Sequence, residues 1–221
     1  MRRLLLISSL LASAGCNPAK PAAQYLALGD SYTSGESVSA NDRWPVQLAH
    51  RLKENGIDLG EPQIIATTGW TTDQLSAGID DANPVGPFQL VTLSIGVNNQ
   101  YRGRGLDEYR VQFKSLLQRA IGFAGGNAKH VIVLSIPDWG VMPFADGRDR
   151  EQIGKQIDQF NSINREETEK AGAAYVDVTP ESRIAATRPD LIADDGLHPS
   201  PQMYSQWVDL ALPVVEEALK K

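Results

Sequence analysis

The fold is decided near the start of the chain, by the stretch YLALGDSYTSG at residues 25–35. Its opening residues are apolar without alternation, which is typical of a strand covered by helices on both faces. A glycine and two polar residues follow at once, so the strand ends at Gly29 and the chain turns. The stretch therefore predicts a buried first strand that presents Ser31 at the edge of a sheet.

Outward from this stretch, short apolar runs alternate with amphipathic segments of helical period. Further strands are predicted at residues 64–66, 90–95, 130–136 and 174–178, and helices at 44–54, 72–79, 106–123, 150–171 and 201–219. Strand–helix alternation over this length predicts an α/β fold with an open parallel sheet and right-handed crossovers. In such sheets, binding and catalytic residues gather at the carboxyl ends of the strands.

The composition is that of an ordinary globular protein of 221 residues with a formal net charge of −6 at pH 7. This length suits one well-buried domain. The mild acidity argues against nucleic acid or an anionic membrane surface as the main partner, because both reward a basic face. The sequence has no His, Cys and Asp spacing that suggests a metal site.

The first residues differ from the rest of the chain. Two arginines precede an apolar run at 4–12 that is too short to span a bilayer, which predicts a cleaved export signal over residues 1–15. Cys16, the single cysteine, follows Ala-Gly and resembles the lipobox cysteine of bacterial lipoproteins, although Ser13 stands where leucine is commonest. A Pro-rich tether would occupy residues 16–23, with the domain at 24–221.

The lipobox resemblance implies an exported protein held at the bacterial cell envelope, facing the periplasm or the cell surface. Its membrane contact would be a lipid anchor on Cys16. The alternative is a plain secretory signal with an incidental cysteine. The sequence does not indicate an oligomeric state.

A nucleophile and a base are suggested by Ser31 and by the loop DDGLHP at residues 194–199. A serine hydroxyl is a weak nucleophile that needs an adjacent base. His198 lies in this polar loop, and Asp195, three residues earlier on one tight turn, is placed to orient its imidazole. Asp194 is the rival for that role.

The two other histidines have structural interpretations. His50 falls on the solvent face of an amphipathic helix, and His130 opens a strand after a Gly-rich turn. Gly69 and Asn98 follow the second and third strands, where a backbone N–H and a side-chain amide would suit a developing oxyanion. Each fits an ordinary turn when taken singly. Because Gly69 and Asn98 lie at the ends of successive strands, together they favour a catalytic site.

Four blocks together resemble the SGNH (GDSL) hydrolase superfamily. They read LGDSYTSG (28–35), TTGWTT (67–72), IGVNN (95–99) and DGLHP (195–199), in family order. The resemblance implies a three-layer α/β/α sandwich with a five-stranded parallel sheet, flavodoxin-like and without a cofactor. It also implies a serine esterase that hydrolyses carboxylic esters or thioesters.

The same resemblance assigns roles to the site residues. Ser31 would be the nucleophile, His198 the base and Asp195 the residue that orients it. The oxyanion hole would use the N–H groups of Ser31 and Gly69 and the side-chain amide of Asn98. One position departs from the family pattern, because Asn99 stands where an aspartate is usual. That position mainly supports the loop, so we expect activity to survive with altered local hydrogen bonding.

Residues around the fourth strand are candidates for substrate contact. Trp139, Met142 and Phe144 follow it and either line an acyl pocket or cover the sheet edge, while Tyr101 and Arg102 either touch substrate or form a solvated loop. Short acyl esters, lysophospholipids, thioesters and O-acetyl groups on envelope sugars all remain open as substrates.

Two other function classes compete with the esterase. One is a non-catalytic envelope-binding protein that keeps the fold, which the retention of all four catalytic-type residues disfavours. The other is a flavodoxin-like nucleotide or phosphate binder. Here Asp30 places a carboxylate where a phosphate needs N–H donors, which argues against it.

Overall fold

The computed structural model describes residues 24–220. The predicted export signal at 1–15, the lipidation site Cys16 and the tether at 16–23 lie outside the described residues and stay predictions. Within the described part of the chain, no helix is long and apolar enough to cross a membrane.

Five parallel strands form one sheet in the order β2-β1-β3-β4-β5. They are β1 (Tyr25–Gly29), β2 (Gln63–Ala66), β3 (Leu90–Ser94), β4 (Val131–Leu134) and β5 (Ala174–Val176). The first strand sits inside the sheet, where Leu28 lies opposite Ile65 on one side and Leu93 on the other. This arrangement confirms the predicted α/β fold with a five-stranded parallel sheet.

Helices cover both faces of the sheet. They are α1 (Ser31–Ser34), α2 (Trp44–Glu54), α3 (Thr72–Ala82), α4 (Val97–Tyr101), α5 (Leu106–Phe123), α6 (Arg150–Lys170), α7 (Thr179–Ile184) and α8 (Pro201–Leu219). Helix α2 packs against α8, while α5 packs against both α3 and α6. With right-handed crossovers, these two groups form the outer layers of a three-layer sandwich.

The long helices match the sequence pattern, and the shortest elements do not. Helices α1, α4 and α7 span too few turns to show a helical period. His130 does not open β4, because it ends a 3₁₀ turn at Ala128–His130. Strand β5 ends earlier than predicted, since the Val178 N–H donates to Ser135 Oγ at 2.8 Å rather than to a neighbouring strand.

The turn after β1 closes tightly onto β3. A Cβ at Gly29 would lie 2.1 Å from Thr33 Oγ1 and 2.5 Å from the Ser94 carbonyl oxygen, both far inside van der Waals contact. Only glycine therefore fits at this strand end. The close approach fixes where the chain turns and places Ser31 at the carboxyl edge of the sheet.

Candidate active site

Ser31 is the first residue of the one-turn helix α1 and is 5% exposed. The preceding Asp30 caps this helix, because its Oδ1 accepts the Tyr32 N–H at 3.1 Å. Gly35, in the left-handed conformation at φ 71°, ends the turn by donating its N–H to the Ser31 carbonyl at 2.9 Å. Burial raises the pKa of Asp30 to about 7, against the hydrogen bonds that its carboxyl accepts from the backbone.

His198 is held by a tight loop that precedes α8. Ile192 and Pro199 form an antiparallel bridge at its base, and the Ala193 N–H donates to the His198 carbonyl at 2.8 Å. Gly196, at φ 71°, makes the turn between them. His198 is 6% exposed, and its imidazole centroid lies 5.4 Å from that of the Tyr32 ring. The loop thus returns the end of the chain to the turn that carries Ser31.

The Asp195 carboxylate accepts four hydrogen bonds. Its Oδ1 accepts the N–H groups of Leu197 and His198, each at 2.9 Å, and its Oδ2 lies 2.5 Å from His198 Nδ1 and 2.7 Å from Ser37 Oγ. Partial burial alone would raise the pKa of Asp195, but these donors outweigh it and hold the pKa well below its usual range. The carboxylate is therefore ionised and fixes the ring orientation.

Ser37 is a contact that the sequence analysis missed. It adopts φ 64°, a left-handed conformation that costs a non-glycine residue about 1–2 kcal/mol. In this conformation its hydroxyl reaches Asp195, 158 residues away along the chain. Backbone strain of this kind is often retained where it positions a functional group. A serine in a polar turn gives no sequence signal of such a contact.

Ser31 and His198 line one cavity of about 150 Å³. Its other lining residues are polar Asn98 and a mainly apolar set comprising Tyr32, Val97, Tyr101, Trp139, Phe144 and Leu197. In the described structure no hydrogen bond joins the Ser31 hydroxyl to His198. Catalytic hydrogen bonds are often long or misaligned without substrate. The cavity lies between the Ser31 hydroxyl, the His198 imidazole and the Asn98 amide.

Asn98 and Gly69 belong to two loops that are tied together. Asn98 Nδ2 donates to the Trp70 carbonyl at 3.0 Å, which leaves the second hydrogen of this amide for another acceptor. Gly69, at φ 85°, does not line the cavity, and its carbonyl accepts from Arg102 Nη2 at 2.7 Å. Arg102 therefore holds the glycine loop instead of lining the cavity.

A model of the GDSL-like lipase/acylhydrolase family matches residues 27–206. The chain belongs to this family. It is accordingly a carboxylic ester hydrolase, and the family membership confirms that part of the sequence analysis. None of the curated proteins matches the sequence.

Solved structures share the fold of this GDSL hydrolase at low sequence identity. TesA is 18% identical with a TM-score of 0.67, over 88% of this chain and 99% of that chain. The psychrotrophic esterase EstA from Pseudoalteromonas sp. is 16% identical with a TM-score of 0.65, over 89% and 98%. Axe2, an acetylxylan esterase from Geobacillus stearothermophilus, is 17% identical with a TM-score of 0.64, over 86% and 93%.

The unusual Asn99 of this GDSL hydrolase is fully buried and hydrogen-bonded. Its Oδ1 accepts the Thr72 N–H at 3.0 Å, and its Nδ2 donates to Thr72 Oγ1 at 2.7 Å. The threonine hydroxyl in turn donates to Gln112 Oε1. An aspartate at this position would have no hydrogen to donate. It would accept the hydrogen of the Thr72 hydroxyl, which could then no longer donate to Gln112. The asparagine thus supports the start of α3 without burying a charge, and Gln112 supplies the acceptor that this requires.

The predicted substrate residues divide into two groups. Trp139, Tyr101 and Phe144 line the cavity. Met142 does not, because its side chain is fully buried between the 3₁₀ turns at Trp139–Val141 and Pro143–Ala145. The expectation that Met142 contacts substrate is therefore corrected.

The cavity wall is supported by a residue without a predicted role. Trp139 Nε1 donates to Gln100 Oε1 at 2.7 Å, and Gln100 Nε2 donates to Gln156 Oε1 at 2.8 Å. This relay orients the indole of Trp139 from behind.

Within residues 24–220, no three His, Cys, Asp or Glu side chains converge as metal ligands.

Proposed function

We propose that this GDSL hydrolase is a serine esterase in which Ser31, His198 and Asp195 form a catalytic triad. The observation that carries the proposal is the cavity shared by Ser31 and His198, together with the 2.5 Å contact from His198 Nδ1 to Asp195 Oδ2. An ionised carboxylate at Nδ1 favours the tautomer that keeps its proton there. Nε2 is then the basic nitrogen of the ring.

The reaction is acyl transfer to water. Ser31 Oγ forms a bond to the ester carbonyl carbon, its proton passes to His198 Nε2, and the carbonyl electron pair moves onto oxygen. Collapse of this intermediate breaks the bond to the alcohol oxygen, which takes the proton from His198. Water then repeats the two steps on the acyl-enzyme and releases the acid and free Ser31.

Three donors are proposed for the developing oxyanion: the N–H groups of Ser31 and Gly69 and the amide of Asn98. The geometry supports Asn98 most directly, because it lines the cavity and only one of its amide hydrogens is used by the Trp70 carbonyl. One well-placed donor of this kind is worth about 3–4 kcal/mol in the transition state.

The cavity also favours a short acyl group. Its volume of about 150 Å³ is well below the range of about 300–1,000 Å³ for drug-sized ligands. The side chains of Trp139, Phe144 and Leu197 limit it on the apolar side. An acetyl to butyryl ester fits this space better than a fatty acyl chain.

Replacing the proposed nucleophile tests the triad. We expect Ser31→Ala to lose at least 1,000-fold in kcat on p-nitrophenyl acetate without change in the melting temperature, since the reactive oxygen is removed from the cavity. A fluorophosphonate probe should label the unmodified chain and not this variant. Ser34→Ala, in the same one-turn helix but outside the cavity, is the matched control and should keep both properties. Labelling and hydrolysis that persist in Ser31→Ala would place the nucleophile at another residue. Absence of both hydrolysis and labelling in the unmodified chain would favour the non-catalytic binding protein.

Ser37 is proposed as a positioning residue that acts through Asp195. Both Ser37→Ala and Ser37→Gly remove the hydroxyl donor, and a hydrogen bond to a charged group contributes about 1.5 kcal/mol or more, so kcat should fall about tenfold with KM unchanged. Glycine also relieves the strain of the left-handed conformation. The free energy of unfolding of Ser37→Gly should therefore be about 1 kcal/mol higher than that of Ser37→Ala. Wild-type kcat in the stable Ser37→Gly variant would show that the hydroxyl contributes nothing to the site.

Acyl-chain preference tests the cavity. Across p-nitrophenyl esters, kcat/KM should be highest between acetate and butyrate and fall by octanoate, since longer chains exceed the cavity. Phe144→Ala should shift the optimum to longer chains. Ile184→Ala removes an equally exposed apolar side chain that does not line the cavity and is the control (43% exposed, against 42% for Phe144). A fatty acyl optimum in the unmodified chain would refute the assignment of a short acyl pocket.

Export and lipid anchoring through Cys16 are proposed from the sequence alone. Expressed in a bacterium, the chain should incorporate radiolabelled palmitate and partition with membranes. Cys16→Ser should abolish labelling and release the protein in soluble form. Labelling that is retained in Cys16→Ser would exclude this anchor.

A further inference from the structure

We propose that a polar groove beside the catalytic cavity binds the alcohol part of the substrate, and that this alcohol is an oligosaccharide chain. The inference rests on the proposed esterase function for its placement, because it assigns the portion of the ester that leaves as alcohol. The groove runs along the first half of α6, away from Ser31.

The groove begins where the catalytic cavity ends. Tyr101 and Trp139 line both the cavity and an adjoining hollow of about 280 Å³. That hollow shares Asp149, Gln152 and Gln156 with a second one of about 320 Å³, which extends to Gln159. From Asp149 to Gln159 the helix rises about 15 Å, which is long enough to accompany more than one sugar ring.

The chemistry of the lining fits hydroxyl groups. Gln152 and Gln159 each carry an amide that both donates and accepts, as a sugar hydroxyl does, and Gln156, whose Oε1 accepts from Gln100, adds its Nε2 as a donor. At the cavity end, the exposed ring of Tyr101 offers an aromatic surface for the apolar face of a sugar ring. The groove therefore combines stacking at one end with repeated two-way hydrogen bonding along its length.

The guanidinium of Arg148 stands over this aromatic end. Its Cζ lies 5.3 Å from the ring centroid of Tyr101 and 5.5 Å from those of Trp139 and Phe144. Cation–π contacts of this kind favour a fixed position of the arginine. Since Arg148 also lines the groove, its N–H groups are placed to donate to an oxygen of a sugar ring that lies against Tyr101.

The charges of the groove disfavour the competing alcohols. Its basic side chains, Arg148 and Lys155, are matched by the acidic Asp149 and Glu151, and Lys155 Nζ lies 2.6 Å from Glu151 Oε1. A phosphorylated headgroup would need converging unpaired cations. A fatty chain would need an apolar surface, whereas amides and charged groups predominate here. A neutral polyhydroxylated chain needs neither unpaired cations nor an apolar surface.

The test separates alcohol binding from ester chemistry. Binding of unacetylated xylotetraose is measured by calorimetry on the Ser31→Ala chain, alone and with Gln152→Ala or with the control Gln118→Ala. Gln152 lies in the groove, whereas Gln118 is an exposed glutamine on α5 outside it. We expect xylotetraose to bind and Gln152→Ala to weaken its affinity at least fivefold, with Gln118→Ala unchanged. In the active chain, Gln152→Ala should lower the ratio of kcat/KM for partially acetylated xylotetraose to that for p-nitrophenyl acetate by a similar factor.

The outcomes are distinguishable from failure of the esterase assignment. If p-nitrophenyl acetate is hydrolysed through Ser31 but xylotetraose neither binds nor responds to Gln152→Ala, the groove proposal is overturned and the esterase stands. If xylotetraose binds through Gln152 without any ester hydrolysis, the groove is an oligosaccharide site, and the assignment of its ligand as the alcohol of an ester falls with the esterase. A preference for acetyl-lysophospholipid over acetylated xylotetraose that Gln152→Ala leaves unchanged would also overturn the groove proposal.

Discussion

The Asp195 carboxylate connects two segments of the chain whose relative position the sheet alone would not fix. It accepts Ser37 Oγ from the turn after β1 and His198 Nδ1 from the loop before α8, in addition to two N–H groups of its own loop. The imidazole is thereby fixed relative to the segment that carries Ser31. Without this carboxylate, the ring would lose the hydrogen bond at Nδ1 and keep its packing against Tyr32. The placement of a base beside the strand-end serine therefore depends on one ionised group with four donors.

Much of the fold could be predicted from the sequence, because its signals are long or strongly apolar. Helix α5 and the buried strand β1 show clear patterns over their whole lengths, and parallel strands necessarily bring Ser31 and Asn98 to one edge. The structure places both in one cavity with His198. The missing parts are local exceptions. Helices α1 and α4 are too short to have a period, and β5 ends where the Ser135 hydroxyl replaces a strand partner.

The side chains that complete the site were less predictable, for a physical reason. Ser37 contacts Asp195, 158 residues away along the chain, and Gln100 connects Trp139 with Gln156. Neither contact can be recognised from the spacing of residues along the sequence. Met142 shows the opposite error. It lies two positions from Phe144 among apolar residues, yet consecutive 3₁₀ turns bury Met142 and leave Phe144 at the cavity. Composition identifies an apolar segment after β4, but only the backbone decides which of its side chains lines the cavity.

The proposed chemistry and the proposed recognition of the alcohol come from different elements of the fold. The four family blocks contribute the groups that are proposed to react, whereas Trp139, Phe144 and the α6 groove lie outside those blocks. The Gln100 relay is the physical link between them, since Gln100 sits in α4 directly after Asn98 and Asn99 and holds the Trp139 indole. A change farther along α6, beyond Gln156, can alter the surface offered to an alcohol while the relay and the Asp195 contacts stay intact. A change in Gln100 moves the wall of the cavity itself. Recognition of the alcohol can therefore diverge along α6 without disturbing the acyl-transfer geometry, provided that substitutions stop short of this relay.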